Sequence, residues 1–92
     1  IQGGGVYVNT SSATLNASGG QIASNTAGSE GGGVFVDQGS ATLSRTPVVS
    51  NTADIGGGLY NSEGTLNLVN VTVSHNVATA GDGGGLYSEI GT

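Results

Sequence analysis

The chain has 92 residues with one Arg, no Lys, six acidic side chains and a net charge of −5. Nothing is available to neutralise phosphates, which excludes nucleic acid as a partner and disfavours a direct bond to anionic lipid. Without Cys, neither a disulfide framework nor a thiolate metal site can form, and the length allows one small domain.

The first element met along the chain is a glycine triplet. Gly-Gly-Gly begins at Gly3, Gly31, Gly56 and Gly83, spaced 28, 25 and 27 residues apart. An apolar residue and an aromatic follow each time, as GGGVY, GGGVF, GGGLY and GGGLY. A unit this short holds no core of its own, so it must stack on its neighbours as a solenoid. The chain reads as a single segment, 1–92, with coils 3–30, 31–55 and 56–82 and a partial coil 83–92. The 19 Gly among many Ser, Thr and Asn suggest a flexible linker by composition alone. Leu and Val return at one phase of every unit, however, for which a disordered chain has no cause.

Three short alternating runs follow each triplet. The first is Val6-Tyr7-Val8, matched by Val34-Phe35-Val36 and Leu59-Tyr60-Asn61. The second is Ala13 to Ala17, matched by Ala41 to Ser44 and Gly64 to Leu68. The third is Gln21 to Asn25, matched by Pro47 to Asn51 and Thr72 to Asn76. No run has the length or period of a helix. Like runs one coil apart pair at about 4.8 Å, which predicts an all-β parallel β-helix of three strands per coil and about 3.3 coils.

The expected interior columns are Val6/Val34/Leu59/Leu86, Leu15/Leu43/Leu66 and Ile22/Val48/Val73, with Ala27/Ala53/Ala78 at the last corner. Triplet and Leu are ten residues apart in coils one and two (Gly5 to Leu15, Gly33 to Leu43) and eight in coil three (Gly58 to Leu66). Coil two is then expected to lose two residues around Arg45 and Pro47. Turns absorb such changes without disturbing stacked strands. The ends, Ile1-Gln2 before a triplet and Gly91-Thr92 within a repeat, read as cuts from a longer protein.

Each coil also carries an apolar residue, two positions, Asn, one position and Ala ahead of its next triplet. These are Ile22-x-x-Asn25-x-Ala27, Val48-x-x-Asn51-x-Ala53 and Val73-x-x-Asn76-x-Ala78. The pattern resembles the repeat of polymorphic outer-membrane proteins and related bacterial adhesins, which carry Phe-x-x-Asn and then Gly-Gly-Ala-Ile. The departures are Ile or Val for Phe and a third Gly for Ala. The resemblance implies a right-handed β-helix in an exported, adhesin-like or autotransporter-passenger protein, and it implies no catalytic residues.

Several rows are candidates for function. Asn25, Asn51 and Asn76 form an amide ladder suited to bonding along the axis. Tyr7, Phe35, Tyr60 and Tyr87 fall opposite the interior phase, either as an exposed row that grips glycans or a partner, or as stacking that stabilises the sheet. Thr14, Thr42 and Thr65, each one before its Leu, with Thr92 at the same phase where the sequence stops, and Asn16, Ser44 and Asn67, one after, predict an outward polar grid. Flat Thr grids serve ice binding on other β-solenoids, but here the second column is Asn and Ser. Glu30, Asp54 and Asp82 gather near one corner, where a hard cation such as Ca²⁺ would find oxygens. The nine-residue Gly/Asp pattern of calcium repeats is absent, so the corner reads as solvated acid. Asn9-Thr10-Ser11, Asn16-Ala17-Ser18 and Asn70-Val71-Thr72 match glycosylation sequons.

No catalytic, cofactor or metal residue is assigned, and the chain is not expected to be an enzyme. Arg45 is the only fixed cation, and His75, at the phase of Ser24 and Ser50, has no acid beside it. The expected role is a non-catalytic rigid shaft or display surface of a secreted or cell-surface adhesin-like protein. Its partners would be further coils of a longer chain, neighbouring copies at open strand edges, and host-surface or matrix glycans or proteins. The alternative is a filament or matrix subunit that stacks end to end.

Overall fold

A computed structural model describes residues 4–89, which hold strands, turns and bends and no helix. The first coil contains β1 (Val6–Val8), β2 (Thr14–Ser18) and β3 (Ile22–Ala23). The second contains β4 (Val34–Val36), β5 (Ser40–Ser44), β6 (Val48–Val49) and β7 (Thr52–Ala53). The third contains β8 (Leu59–Asn61), β9 (Thr65–Val69), β10 (Val73–Ser74) and β11 (Val77–Ala78), and β12 (Leu86–Ser88) opens a fourth.

Every strand pairs in parallel with its counterpart one coil away. The sheets run β1-β4-β8-β12, β2-β5-β9 and β3-β6-β10, with a short fourth ladder β7-β11. The molecule is thus a parallel β-solenoid of about three turns. Gly3, at the first triplet, and Thr92, expected in the Thr row, lie outside the described residues, as do Ile1, Gln2, Ile90 and Gly91.

The first sheet keeps the expected column, with Val6 opposite Val34, Val34 opposite Leu59 and Leu59 opposite Leu86. The third keeps Ile22 opposite Val48 and Val48 opposite Val73. Ala53 faces Ala78, and Ala27 donates its N–H to Thr52 at 2.8 Å.

The second sheet differs. Leu15 faces Ala41 and then Leu66, while Ala17 faces Leu43 and then Leu68. The extra pair of residues in the first coil sits between β1 and β2, not after β5. Coil two loses nothing around Arg45 and Pro47, because β2, β5 and β9 all reach the next strand after the same gap. Both columns still point inward, since a slip of two residues preserves the alternation. Thr42 therefore belongs with Asn16 and Asn67, and Ser40 stands between Thr14 and Thr65.

The third run of each coil is broken rather than continuous. Ser24, Ser50 and His75 have φ of 57, 57 and 56°, and each ends the third sheet before the Asn. A second left-handed column, Gly19, Arg45 and Asn70 with φ of 77, 50 and 53°, follows the second sheet. The first triplet glycines Gly31, Gly56 and Gly83 form a third, at 66, 64 and 73°. Left-handed residues recur at these three corners and turn the chain without lengthening it, with Gly20 at 69° joining Gly19 in the first coil.

The core lies between the sheets and is densest in the second coil. Val34, Val36, Ala41, Leu43, Val48 and Leu59 are buried, with Val6, Leu15, Ile22, Leu66 and Val73 packed against them.

Candidate functional site

The second and third glycines of the first three triplets are needed because coils touch there through backbone. A methyl on Gly33 would stand 2.7 Å from the Gly58 carbonyl, and one on Gly58 would stand 2.5 Å from that of Gly85. Real Cβ atoms do not approach so closely, which explains the departure from Gly-Gly-Ala noted above. The first glycine has a different task. At its positive φ it lies against the base of its own coil's aromatic, with the site of a Cβ on Gly31 2.9 Å from Phe35 Cβ.

The aromatics stand opposite the interior column and stack along the axis. Tyr7 meets Phe35 edge-on at 5.1 Å, Phe35 stacks on Tyr60 at 5.0 Å, and Tyr60 stacks on Tyr87 at 4.9 Å. Phe35 and Tyr60 are only 4% and 6% exposed. Of the two readings, stacking along the sheet is the one that forms: the row is closed over its centre, and Tyr7, 43% exposed at one end, keeps an open ring. Neighbouring rings and the glycine corner cover the middle of the row. Burial, then a bond donated by Tyr60 Oη to Glu89 Oε1 at 2.9 Å, pushes the Tyr60 phenol well above its ordinary value. Sequence reasoning missed this pair. Its signal was an acid two residues beyond Tyr87, in the coil next to Tyr60.

The Asn ladder forms as expected and lies inside. Asn51 is 0% exposed, and its Oδ1 accepts both the backbone N–H and the Nδ2 of Asn25, at 2.9 and 3.0 Å. Asn76 Oδ1 accepts the same two donors from Asn51, both at 2.9 Å. The other Nδ2 hydrogens reach back one coil, from Asn51 to the Ile22 carbonyl at 3.1 Å and from Asn76 to that of Val48 at 2.9 Å. Asn61 stands in the interior row of Val8 and Val36 without a penalty. Its Nδ2 donates to the Gly64 carbonyl at 3.1 Å and its Oδ1 accepts the Gly64 N–H at 3.0 Å.

The outward face of the second sheet carries Thr14, Ser40 and Thr65, then Asn16, Thr42 and Asn67, then Ser18, Ser44 and Val69. It is uncharged and, apart from the exposed Val69, polar, but its rows mix residue types, so the expected single Thr file does not exist. Arg45 donates from its guanidinium to Ser18 Oγ at 3.1 Å.

The acidic corner does not converge. Glu30 faces Ile55 and accepts from Ser29 at 3.1 Å, while Asp54 accepts from Thr79 at 3.0 Å. Among the described residues, no three of His, Asp and Glu come together as a metal-ligand group. His75 is exposed at its left-handed corner. Of the sequons, Asn70 and Thr72 are exposed beside a corner, whereas Asn16 lies within β2.

An apolar notch opens beside β9, bounded by Asn61, Leu66, Leu68, Leu86 and Ser88. It exists because the first sheet has four strands and the second has three.

Fold and surfaces together define a short parallel β-solenoid whose interior is a polar ladder flanked by aliphatic columns. No family model matches the chain, and neither a curated protein nor a solved structure matches it.

Proposed function

We propose that this chain is a segment of the rigid, non-catalytic shaft of a secreted, cell-surface, adhesin-like protein. The observation that carries the proposal is the interchangeability of its coils. The first sheet, the third sheet and the Asn ladder repeat the same pairings from each coil to the next. A solenoid built this way gains length by adding coils, and its stiffness comes from continuous interior columns. Sparse charge and a polar, uncharged outward sheet suit a surface that must stay extended in water. The resemblance of the Asn-x-Ala and triplet pattern to bacterial adhesin repeats adds support.

Antibodies raised against the purified chain test the proposal on intact cells of the source organism. Labelling of unpermeabilised cells, together with reduced attachment in the presence of the chain, is the expected result. Labelling only after permeabilisation would refute it.

A further inference from the structure

We propose that Asn70 is the acceptor of an N-linked sugar, with Thr72 supplying the hydroxyl that an asparagine-directed glycosyltransferase reads two residues further on. This goes beyond the shaft reading and does not depend on it.

Asn70-Val71-Thr72 has the acceptor pattern of Asn, any residue but Pro, then Thr. A glycan is bulky and stays in water, so its Asn must stand on a surface bend with its carboxamide unengaged. Asn70 meets each condition. It has φ of 53°, it is exposed, and its side chain bonds nothing among the described residues. The Val69 carbonyl accepts the Arg45 N–H at 3.0 Å, and the Thr72 carbonyl accepts the Val48 N–H at 2.8 Å. The bend is thus held at both ends while Asn70 itself is left out of the ladder. Val71 packs against the core, and Asn70 and Thr72 are exposed on either side of it.

The corner is open by its place in the repeat. Arg45 holds the phase of Asn70 one coil back, immediately after Ser44, the partner of Val69. It is exposed although a coil lies on each side of it. Its guanidinium reaches toward the first coil, to Ser18 Oγ at 3.1 Å, and leaves the side of Asn70 clear. The fold accounts for Asn70 alone, because Asn tolerates a left-handed backbone better than most residues with side chains. It does not account for Thr72. That phase holds Gln21 and Pro47 in the other coils, and the Thr72 hydroxyl bonds nothing among the described residues.

The other two sequons lack this arrangement. Asn16 lies inside β2, opposite Thr42, and its extended backbone cannot bend into an enzyme cleft without parting from β5. Asn9-Thr10-Ser11 is exposed, but its central carbonyl is fixed. The Thr10 carbonyl accepts the Ala13 N–H at 3.0 Å and lies 2.5 Å from where a methyl on Gly39 would stand.

The reaction joins Asn70 Nδ2 to the anomeric carbon of a sugar carried on a nucleoside or lipid diphosphate. The bond from that carbon to the phosphate oxygen breaks, the diphosphate leaves with the electron pair, and the transferase takes one Nδ2 proton.

Mass spectrometry of peptides from the protein purified from its source organism tests the assignment. Most of the attached sugar is expected on Asn70. A single monosaccharide there indicates the nucleoside diphosphate donor, and a preassembled oligosaccharide the lipid one. An unmodified Asn70, or a sugar on Asn9 or Asn16 at equal or greater occupancy, would overturn the proposal. Thr72→Ala and Thr72→Ser, produced in the same organism, supply a second measurement, and both should fold as the parent does because the described contacts use only the Thr72 backbone. Thr72→Ala should lose the sugar from Asn70 and Thr72→Ser should keep it. Retention in the first variant, or loss in the second, would also overturn the proposal.

Discussion

Asn25 and Asn51 are joined twice through a single oxygen, Asn51 Oδ1, which accepts the backbone N–H of Asn25 at 2.9 Å and its side-chain amide at 3.0 Å. The same side chain bonds in both directions along the axis, so it ties three coils together. Substituting Asn51 by Ala strands donors on Asn25, an acceptor on Asn76 and the Ile22 carbonyl in a site closed to water. A loss of about 3 kcal/mol is expected, since each orphaned buried group costs about 1–3 kcal/mol. Asn25→Ala, at the start of the ladder, should cost less than half as much. Urea midpoints of the two variants decide it, and equal losses would show that the central amide has no special place.

Leu43 separates inside from outside on β5. Its side chain is 0% exposed, so Leu43→Ala should cost about 2–5 kcal/mol through lost contacts and a cavity. Asn67→Asp, on the exposed face of β9, should change stability by under about 0.5 kcal/mol. Thermal denaturation of both variants checks the assignment, and similar shifts in Tm would contradict it.

Two glycines at the same repeat phase should respond differently to one methyl. Gly58→Ala pushes a Cβ to 2.5 Å from the Gly85 carbonyl, a backbone clash expected to cost about 3 kcal/mol. Gly85→Ala meets a side-chain methyl at 3.3 Å and should cost under about 1 kcal/mol. Chemical denaturation at low protein concentration separates the two.

Ser→Gly should carry opposite signs at two nearby sites. Ser50 has φ of 57°, a conformation that is strained for a side-chain residue and free for glycine, so Ser50→Gly should stabilise by about 0.5–1 kcal/mol. Ser44 closes β5 with extended backbone, and Ser44→Gly there should destabilise by about 0.5–1 kcal/mol. Matched denaturation curves read both signs directly.

Tyr60 makes the fold sensitive to alkali. Burial, first, and the bond to Glu89 raise its phenol pKa in the folded chain, so the folded state keeps a proton that the unfolded chain releases. Stabilisation from this source is complete below about pH 10 and is lost as pH rises above it. Tyr60→Phe should flatten the fall of the urea midpoint above that pH, at the expense of about 1 kcal/mol near neutrality from the missing bond. An unchanged alkaline slope would place the sensitivity elsewhere.

Spacing alone carried the first sheet, the third sheet and the Asn ladder, because each sits at a constant distance from a triplet or an Asn that has no alternative partner. The second sheet was less legible. Leu15, Leu43 and Leu66 look like one file, yet Leu43 lies one alternation further along, opposite Ala17 and Leu68. Leu43 and Ala41 both face inward, so a two-residue slip leaves the hydrophobic pattern unaltered. The choice falls to the corner between β1 and β2. There the longer first-coil turn closes with Ala13 N–H donating to the Thr10 carbonyl at 3.0 Å.

What the amino-acid order determined by itself was the architecture: a repeat too short for its own core, with apolar residues at one phase, can bury them only by stacking. Which outward residues stay outside was settled by the tertiary structure. Phe35 and Tyr60 point away from the interior and are nonetheless closed off, because ring stacks on ring from coil to coil and each left-handed glycine folds its backbone against the aromatic that follows. Alternation along a strand specifies a direction, and only the packing of neighbouring coils decides whether water waits there.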